Sequence, residues 1–195
     1  MLTRIIDVVI FLGGRGLAFR GSSLRIGDVH NGNFLCLLEL LAHYDPLLEE
    51  HVTKVKVAQQ KGERLQAHYL SPESQNEFIS FCAANVRRYV LNEREHAKYY
   101  SIMADATPDA SHIEQTTFIL RYLTRENESY VVQERFLAFV DCCHKTGIAI
   151  ANLILETLKG YGIPIADCRG QGYDNAANMS GKYNGAQQHI STINP

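Results

Sequence analysis

Cys168-Arg169-Gly170-Gln171-Gly172-Tyr173-Asp174-Asn175-Ala176-Ala177-Asn178-Met179-Ser180-Gly181 is the stretch that decides the reading of this chain. A short strand runs into a Gly-rich turn, an acid follows, and small residues open the next helix. An acid so placed sits near the end of a sheet, where ligands and cations reach it. Asp105 has a comparable setting in Tyr100-Ser101-Ile102-Met103-Ala104-Asp105-Ala106-Thr107. Two acids at strand ends, far apart in sequence, are what a metal-dependent phosphoryl-transfer site requires.

The segments between them set the topology. Tyr99 to Ala104 is a short apolar strand. Thr116 to Leu123 is rich in β-branched and aromatic residues, Arg125-Glu126-Asn127-Glu128 is a polar turn, and Tyr130 to Val140 is a long strand. Lys145 to Lys159 carries Ile148, Ala151, Leu155 and Leu158 on one helical face, with Gly160, Gly162 and Pro164 ending it. Ile165 to Gly172 contains a fourth strand, and Met179 to Ile190 reads as a helix. A three-stranded meander, a crossover helix, a parallel fourth strand and a helix begin the ribonuclease-H-like topology. There the first and fourth strands are neighbours, so Asp105 and Asp174 are expected to converge.

Upstream the chain reads as helical, giving an α/β (α+β) protein with a helical region over 1–97 and the strand-containing region over 98–195. Ile5 to Phe19 predicts a helix weakened by Gly13, Gly14 and Gly16. Phe34, Leu37, Leu38 and Leu41 repeat at helical spacing. Asp45-Pro46 supplies an N-cap and first residue, with Glu49 and Glu50 at the positive end. Gln59 to Tyr69 reads as a loop. Ser71-Pro72 starts another helix, whose buried face is expected to be Phe78, Phe81, Cys82, Asn85, Val86, Tyr89 and Val90. Arg87, Arg88 and Arg94 read as a solvated face of that helix.

The 195 residues are 46% hydrophobic with a formal net charge of −2, which gives no global attraction to nucleic acid. Any such contact must come from a local patch or through cations. No apolar run approaches the roughly 20 residues of a membrane span, and Asp7 interrupts the only stretch resembling a secretory leader. A nuclear or cytoplasmic protein, not secreted, is expected. Five cysteines without framework spacing indicate reduced thiols. Cys142-Cys143-His144 has adjacent ligands unsuited to a tetrahedral site, so zinc is not expected. Gly170-x-Gly172 makes a poor dinucleotide fingerprint because Asn175 stands where the third glycine belongs. No small-molecule cofactor follows from it.

Two Mg²⁺ or Mn²⁺ ions about 3.5–4 Å apart can neutralise a phosphodiester and activate a nucleophile. Mg²⁺ takes hard oxygen ligands, one or two of them carboxylates. Asp105 is the candidate bridging ligand and Asp174 the second. Asp141, Glu156 and Asp109 do not stand in recognisable third-ligand settings. Asp109 reads as a turn cap and Glu156 as solvated.

Gly172-Tyr173-Asp174-Asn175-Ala176-Ala177-Asn178-Met179-Ser180-Gly181 resembles the second-aspartate block of hAT-type DNA transposases, and Asp105-Ala106-Thr107-Pro108-Asp109 resembles the first. Leu17-Ala18-Phe19-Arg20-Gly21, Asn31-Gly32-Asn33-Phe34-Leu35 and Phe136-Leu137-Ala138-Phe139-Val140 look like the transposase-derived domains of MYM-type zinc-finger proteins and their repressor-like relatives. The resemblance implies a ribonuclease-H-like core that cuts and joins DNA with divalent metal, Asp105 and Asp174 being its first two catalytic and metal-binding acids. Ala106 stands where the family usually has Glu. The family's third acid comes from a later helix, and its zinc-binding DNA reader has no counterpart here. A catalytically incomplete front part of the core is therefore expected, with a protein-interaction, dimerisation or repressor module as the other reading. DNA, a protein partner or a second copy are the expected partners, and no membrane.

Overall fold

Helix α1, Leu2–Gly14, turns Ile5, Val8, Val9 and Leu12 inward at three-to-four spacing. The computed structural model describes residues 1–63, 65–108, 114–142 and 144–195. Expected as far as Phe19, α1 stops at Gly14, and Gly16 takes a left-handed φ of 62°. Consecutive glycines cost helix stability, so the chain leaves the helix at them. Helix α2, Gly32–Ala42, buries Phe34, Leu35, Leu38 and Ala42. Helix α3, Pro46–Lys61, begins as expected: the Asp45 carboxylate accepts from the Leu47 and Leu48 amides. It runs past Gln59 and ends at Gly62, whose φ of 70° suits glycine. These helices share one core with Ile26 and Leu70.

Two segments that carry the resemblance interlock in this first unit, Met1–Asn85. The Phe34 amide donates to the Phe19 carbonyl at 3.0 Å, and Asn33 Nδ2 to the Ala18 carbonyl at 2.7 Å. A Cβ on Gly32, at φ +83°, would stand 2.2 Å from the Gly21 nitrogen, and one on Gly21 would stand 2.0 Å from the His30 carbonyl oxygen. Only bare backbone fits at this crossing. Arg20 then donates to the Pro72 carbonyl at 2.9 Å and to Gln75 and Asn76 at the start of α4, Pro72–Ala97.

The second unit is Val86–Pro195. Its sheet has the order β3-β2-β1-β4. Strand β1 is Tyr100–Pro108, β2 Glu114–Glu126, β3 Ser129–Asp141 and β4 Cys168–Gly172. The pairs β1–β2 and β2–β3 are antiparallel and β1–β4 is parallel. Helix α5, Gly147–Gly160, connects β3 to β4, capped by Thr146 Oγ1 accepting from the Ala149 amide. This is the expected meander, crossover and parallel return of an incomplete ribonuclease-H-like fold. The strands are longer than expected at their ends, except β4, which is only five residues. Asn127, at φ 57°, makes the turn between β2 and β3.

One sheet face is covered and the other is open. Tyr100, Ile102, Ala104, Phe118, Leu120 and Tyr122 point to the covered face and pack with Ile150, Ala151, Ile154 and Leu158 of α5. Burial of one such large aliphatic or aromatic side chain stabilises by about 1.5–3 kcal/mol. A bulge where β2 passes Phe118 and Ile119 makes Leu137 an extra residue of β3, so Leu137 and Ala138 are both buried. The open face exposes Leu123, Val132, Phe136 and Phe139.

The last part of α4 differs from its expected orientation. Phe78, Cys82 and Val90 turn inward as expected, but Phe81, Val86 and Tyr89 are exposed, and the buried line also takes in Gln75 and Arg94. Arg94 is not solvated: its side chain is 7% exposed, Nη2 donates to Asp167 at 3.1 Å, and the guanidinium lies 5.0 Å from the Tyr100 ring centre. Arg87 lies over the Tyr161 ring at 5.1 Å. Apolar spacing missed this line because paired polar groups occupy it. The terminal helix is also two, α6 (Ala177–Ser180) and α7 (Ala186–Ile193), broken at Gly181. A Cβ there would lie 2.2 Å from the Ala177 carbonyl oxygen.

Candidate functional site

Residues alternate across β1, so Ser101, Met103 and Asp105 face away from buried Ile102 and Ala104. Ser101 pairs with Gly170 and Met103 with Gly172 in the parallel ladder. The glycines of β4 leave room for the β1 side chains. A Cβ on Gly170 would meet Ser101 Oγ at 2.6 Å, and one on Gly172 would meet Met103 Cγ at 3.2 Å. Asp105 lies two positions beyond Met103, and Asp174 two positions beyond Gly172. Asp105 thus lies just beyond the last β1 position paired with β4, and Asp174 in the turn that follows β4; both are exposed. Asp105 stands within β1, which continues to Pro108, and not at the strand's end as expected.

The loop carrying Asp174 is fixed from several sides. Asp174 Oδ1 accepts from the Ala176 amide at 3.2 Å, closing a tight turn. Tyr173 is half-buried, its hydroxyl donates to Gln171 Oε1 at 2.8 Å, and burial pushes its pKa up. Met179, Ala186 and Ile190 anchor the following helices in the core. Asn178 Nδ2 donates to the Lys145 carbonyl at 2.9 Å. Gly147, at the start of α5, lies so close that an added Cβ would stand 1.9 Å from the Asn184 carbonyl oxygen.

The other candidate acids stand elsewhere. Asp141 ends β3, two strands from β1, and accepts from Gln115 Nε2 at 3.4 Å. Glu156 is exposed on α5. Asp109 and Cys143 lie outside the described residues. Cys142 Sγ donates to the His144 carbonyl at 3.3 Å. Among the described residues no group of three or more His, Cys, Asp or Glu side chains could hold a metal ion. Asp105 and Asp174 are exposed carboxylates of the kind that could hold a hard cation, with Oδ1 of Asp174 partly engaged by its own turn.

Polar side-chain pairs lie instead at the other end of β1, away from Asp105. Arg94 and Asp167 tie α4 to the turn before β4. Tyr100 Oη donates to the Pro164 carbonyl at 3.2 Å, and burial raises its pKa. Glu93 accepts from Arg135 Nε at 3.1 Å and from the Tyr122 hydroxyl at 3.0 Å. No helix among the described residues is long and apolar enough to cross a membrane.

The family described as ZMYM1/FAM200, RNase-like domain (DUF4371) matches residues 1–185. The match spans the interlocked helical unit, the four strands and the Asp174 block, in agreement with the resemblance to transposase-derived domains of MYM-type zinc-finger proteins. The chain belongs to the ZMYM1/FAM200 RNase-like domain family.

Proposed function

We propose that this RNase-like domain derives from a hAT-type transposase and keeps a two-acid rim of a phosphoryl-transfer site that does not cut DNA unaided. The observation that supports this reading most is the parallel register of Met103 with Gly172, followed two positions later by Asp105 and Asp174. Asp105 and Asp174 would hold one Mg²⁺ or Mn²⁺, with water and phosphate oxygens completing its shell. When bound, such a cation offsets phosphate charge. The carboxylates would orient it, and the β4 glycines make room for the Ser101 and Met103 side chains beside it. The domain would act on DNA in the nucleus or cytoplasm, or have lost that activity while retaining the scaffold. Incubating the purified chain with Mg²⁺ or Mn²⁺ and duplex or nicked DNA tests this. No strand cleavage is expected; robust cleavage abolished by Asp105→Ala would overturn the proposal of incompleteness.

A second reading, a domesticated interaction module, is supported by the open sheet face. The Phe136 and Phe139 rings meet there at 4.7 Å between centres, tilted by 53°, and both are exposed, with Val132 and Leu123 also on that face. Contiguous exposed apolar surface seeks a partner. Light scattering on the purified chain tests self-association: a dimer weakened by Phe139→Ser favours this reading, and a monomer at all concentrations counts against it.

A further inference from the structure

At the end of β1 away from Asp105, the second unit has an open cleft of about 870 Å³ between the last turns of α4, the start of β1 and the turn end of β2–β3. Its charge is out of character for a chain with net charge −2. Among the described residues, Arg121, Arg125 and Arg169 line it with one carboxylate, Glu93. That carboxylate is held by Arg135, a cation outside the lining, and by the Tyr122 hydroxyl. Arg169 donates to the carbonyls of Ala166 and Cys168, and among the described residues it forms no ion pair with a carboxylate. Arg121 is paired with Glu134 at 3.2 Å, but both side chains are half-exposed and exchange readily with solvent.

The same cleft carries aromatic faces. Tyr89, Tyr99 and Tyr130 line it at 61%, 48% and 72% exposure. The Arg169 guanidinium stacks over the Tyr99 ring at 4.5 Å and Lys98 lies on it at 5.3 Å. Exposed tyrosines are not needed for the core, which is complete on the covered face. Rings interleaved with guanidinium groups form a surface on which bases stack while phosphates meet the cations. A duplex hides its base faces, so the surface suits an unpaired strand.

We propose that this cleft is a binding site for a short single-stranded nucleic acid segment, separate from the carboxylate rim. Ser101 lines the cleft and Asp105 lies four residues along β1, about 13 Å away at strand rise. The inference does not rest on the acids binding a cation.

The test is fluorescence anisotropy of a fluorescein-labelled oligothymidylate with the whole chain, in EDTA. Binding is expected, with a log–log salt slope of about −2 for three phosphate contacts. Arg121→Glu combined with Arg125→Glu is expected to weaken it at least about tenfold, and Tyr99→Ala or Tyr130→Ala by about five- to tenfold. All four positions are exposed, and circular dichroism melting confirms that each variant folds. Tyr130→Phe should bind as well as the parent, because the ring does the stacking. The proposal is overturned if the oligonucleotide does not bind at low salt, if the tyrosine variants bind unchanged, or if a matched duplex or poly-glutamate competes as well as the single strand.

Discussion

Met103 of β1 and Gly172 of β4 are parallel partners, and the missing side chain at 172 lets Met103 lie across β4 on the open face. This pairing sets the position of everything downstream. Asp105 and Asp174 each follow a member of this pair by two residues, so the proposed approach of the two carboxylates would depend on a ladder with room for β1 side chains at Gly170 and Gly172. Gly172→Val should separate the strands at this point. We expect it to weaken any cation binding at the rim more than it lowers melting temperature, as read by Mn²⁺ titration beside thermal unfolding.

The start of α5 tests the close packing behind Asp174. Gly147→Ala places a Cβ 1.9 Å from the Asn184 carbonyl oxygen, a backbone atom that cannot rotate aside. We expect destabilisation of about 1–3 kcal/mol in urea denaturation. Gly160→Ala, at the other end of the same helix, meets nothing within 4 Å. It should be neutral or stabilise by up to about 1 kcal/mol.

Glu93 gives the second unit a pH dependence. The hydrogen bond from Arg135 holds its carboxyl below the ordinary value of 4.5, burial opposes this, and the Tyr122 hydroxyl adds to it. The folded pKa is depressed, so this stabilisation is present above the ordinary value and lost as pH falls through the folded one. Glu93→Gln should therefore cost stability at neutral pH, with the difference from the parent shrinking below about pH 4.5. Thermal unfolding of both proteins from neutral to acidic pH measures it. A double-mutant cycle of Glu93→Gln with Arg135→Met should give a coupling of about 1 kcal/mol.

His68 makes the first unit sensitive at a higher pH. Burial and the neighbouring His51 hold it below the ordinary 6.5. Its Nδ1 accepts from the Leu70 amide at 3.2 Å, which requires that nitrogen to be unprotonated. The neutral form is favoured when folded, so stability falls as pH drops below about 6.5. Amide exchange of residues near Leu70 should accelerate over that range, and His68→Gln should flatten the dependence.

The topology was legible because its signals are local. The β-branched and aromatic content of β2, the polar turn before β3 and the Gly-Pro stop after α5 are all local signals, whereas Gly170 and Gly172, read as a turn, lie inside β4. Asp45 capped its helix as its type and the following proline required. What escaped reading depends on tertiary partners. Arg94 looks like a solvated charge until Asp167 and Tyr100 surround it. The bulge that buries both Leu137 and Ala138 breaks strict alternation. The split between α6 and α7 depends on how closely Gly181 and Gly185 approach neighbouring backbone. The contact of Met103 with Gly172, beside the two candidate acids, needed the register.

Paramagnetic broadening by Mn²⁺ tests the central claim most directly. Amide signals of ¹⁵N-labelled protein are followed as Mn²⁺ is added, for the parent, Asp105→Asn and Asp174→Asn. Signals around positions 105 and 174 should broaden together at the same Mn²⁺ concentration, and either substitution should abolish both effects. Broadening of one region without the other, or patterns unchanged by the substitutions, would contradict a shared carboxylate rim.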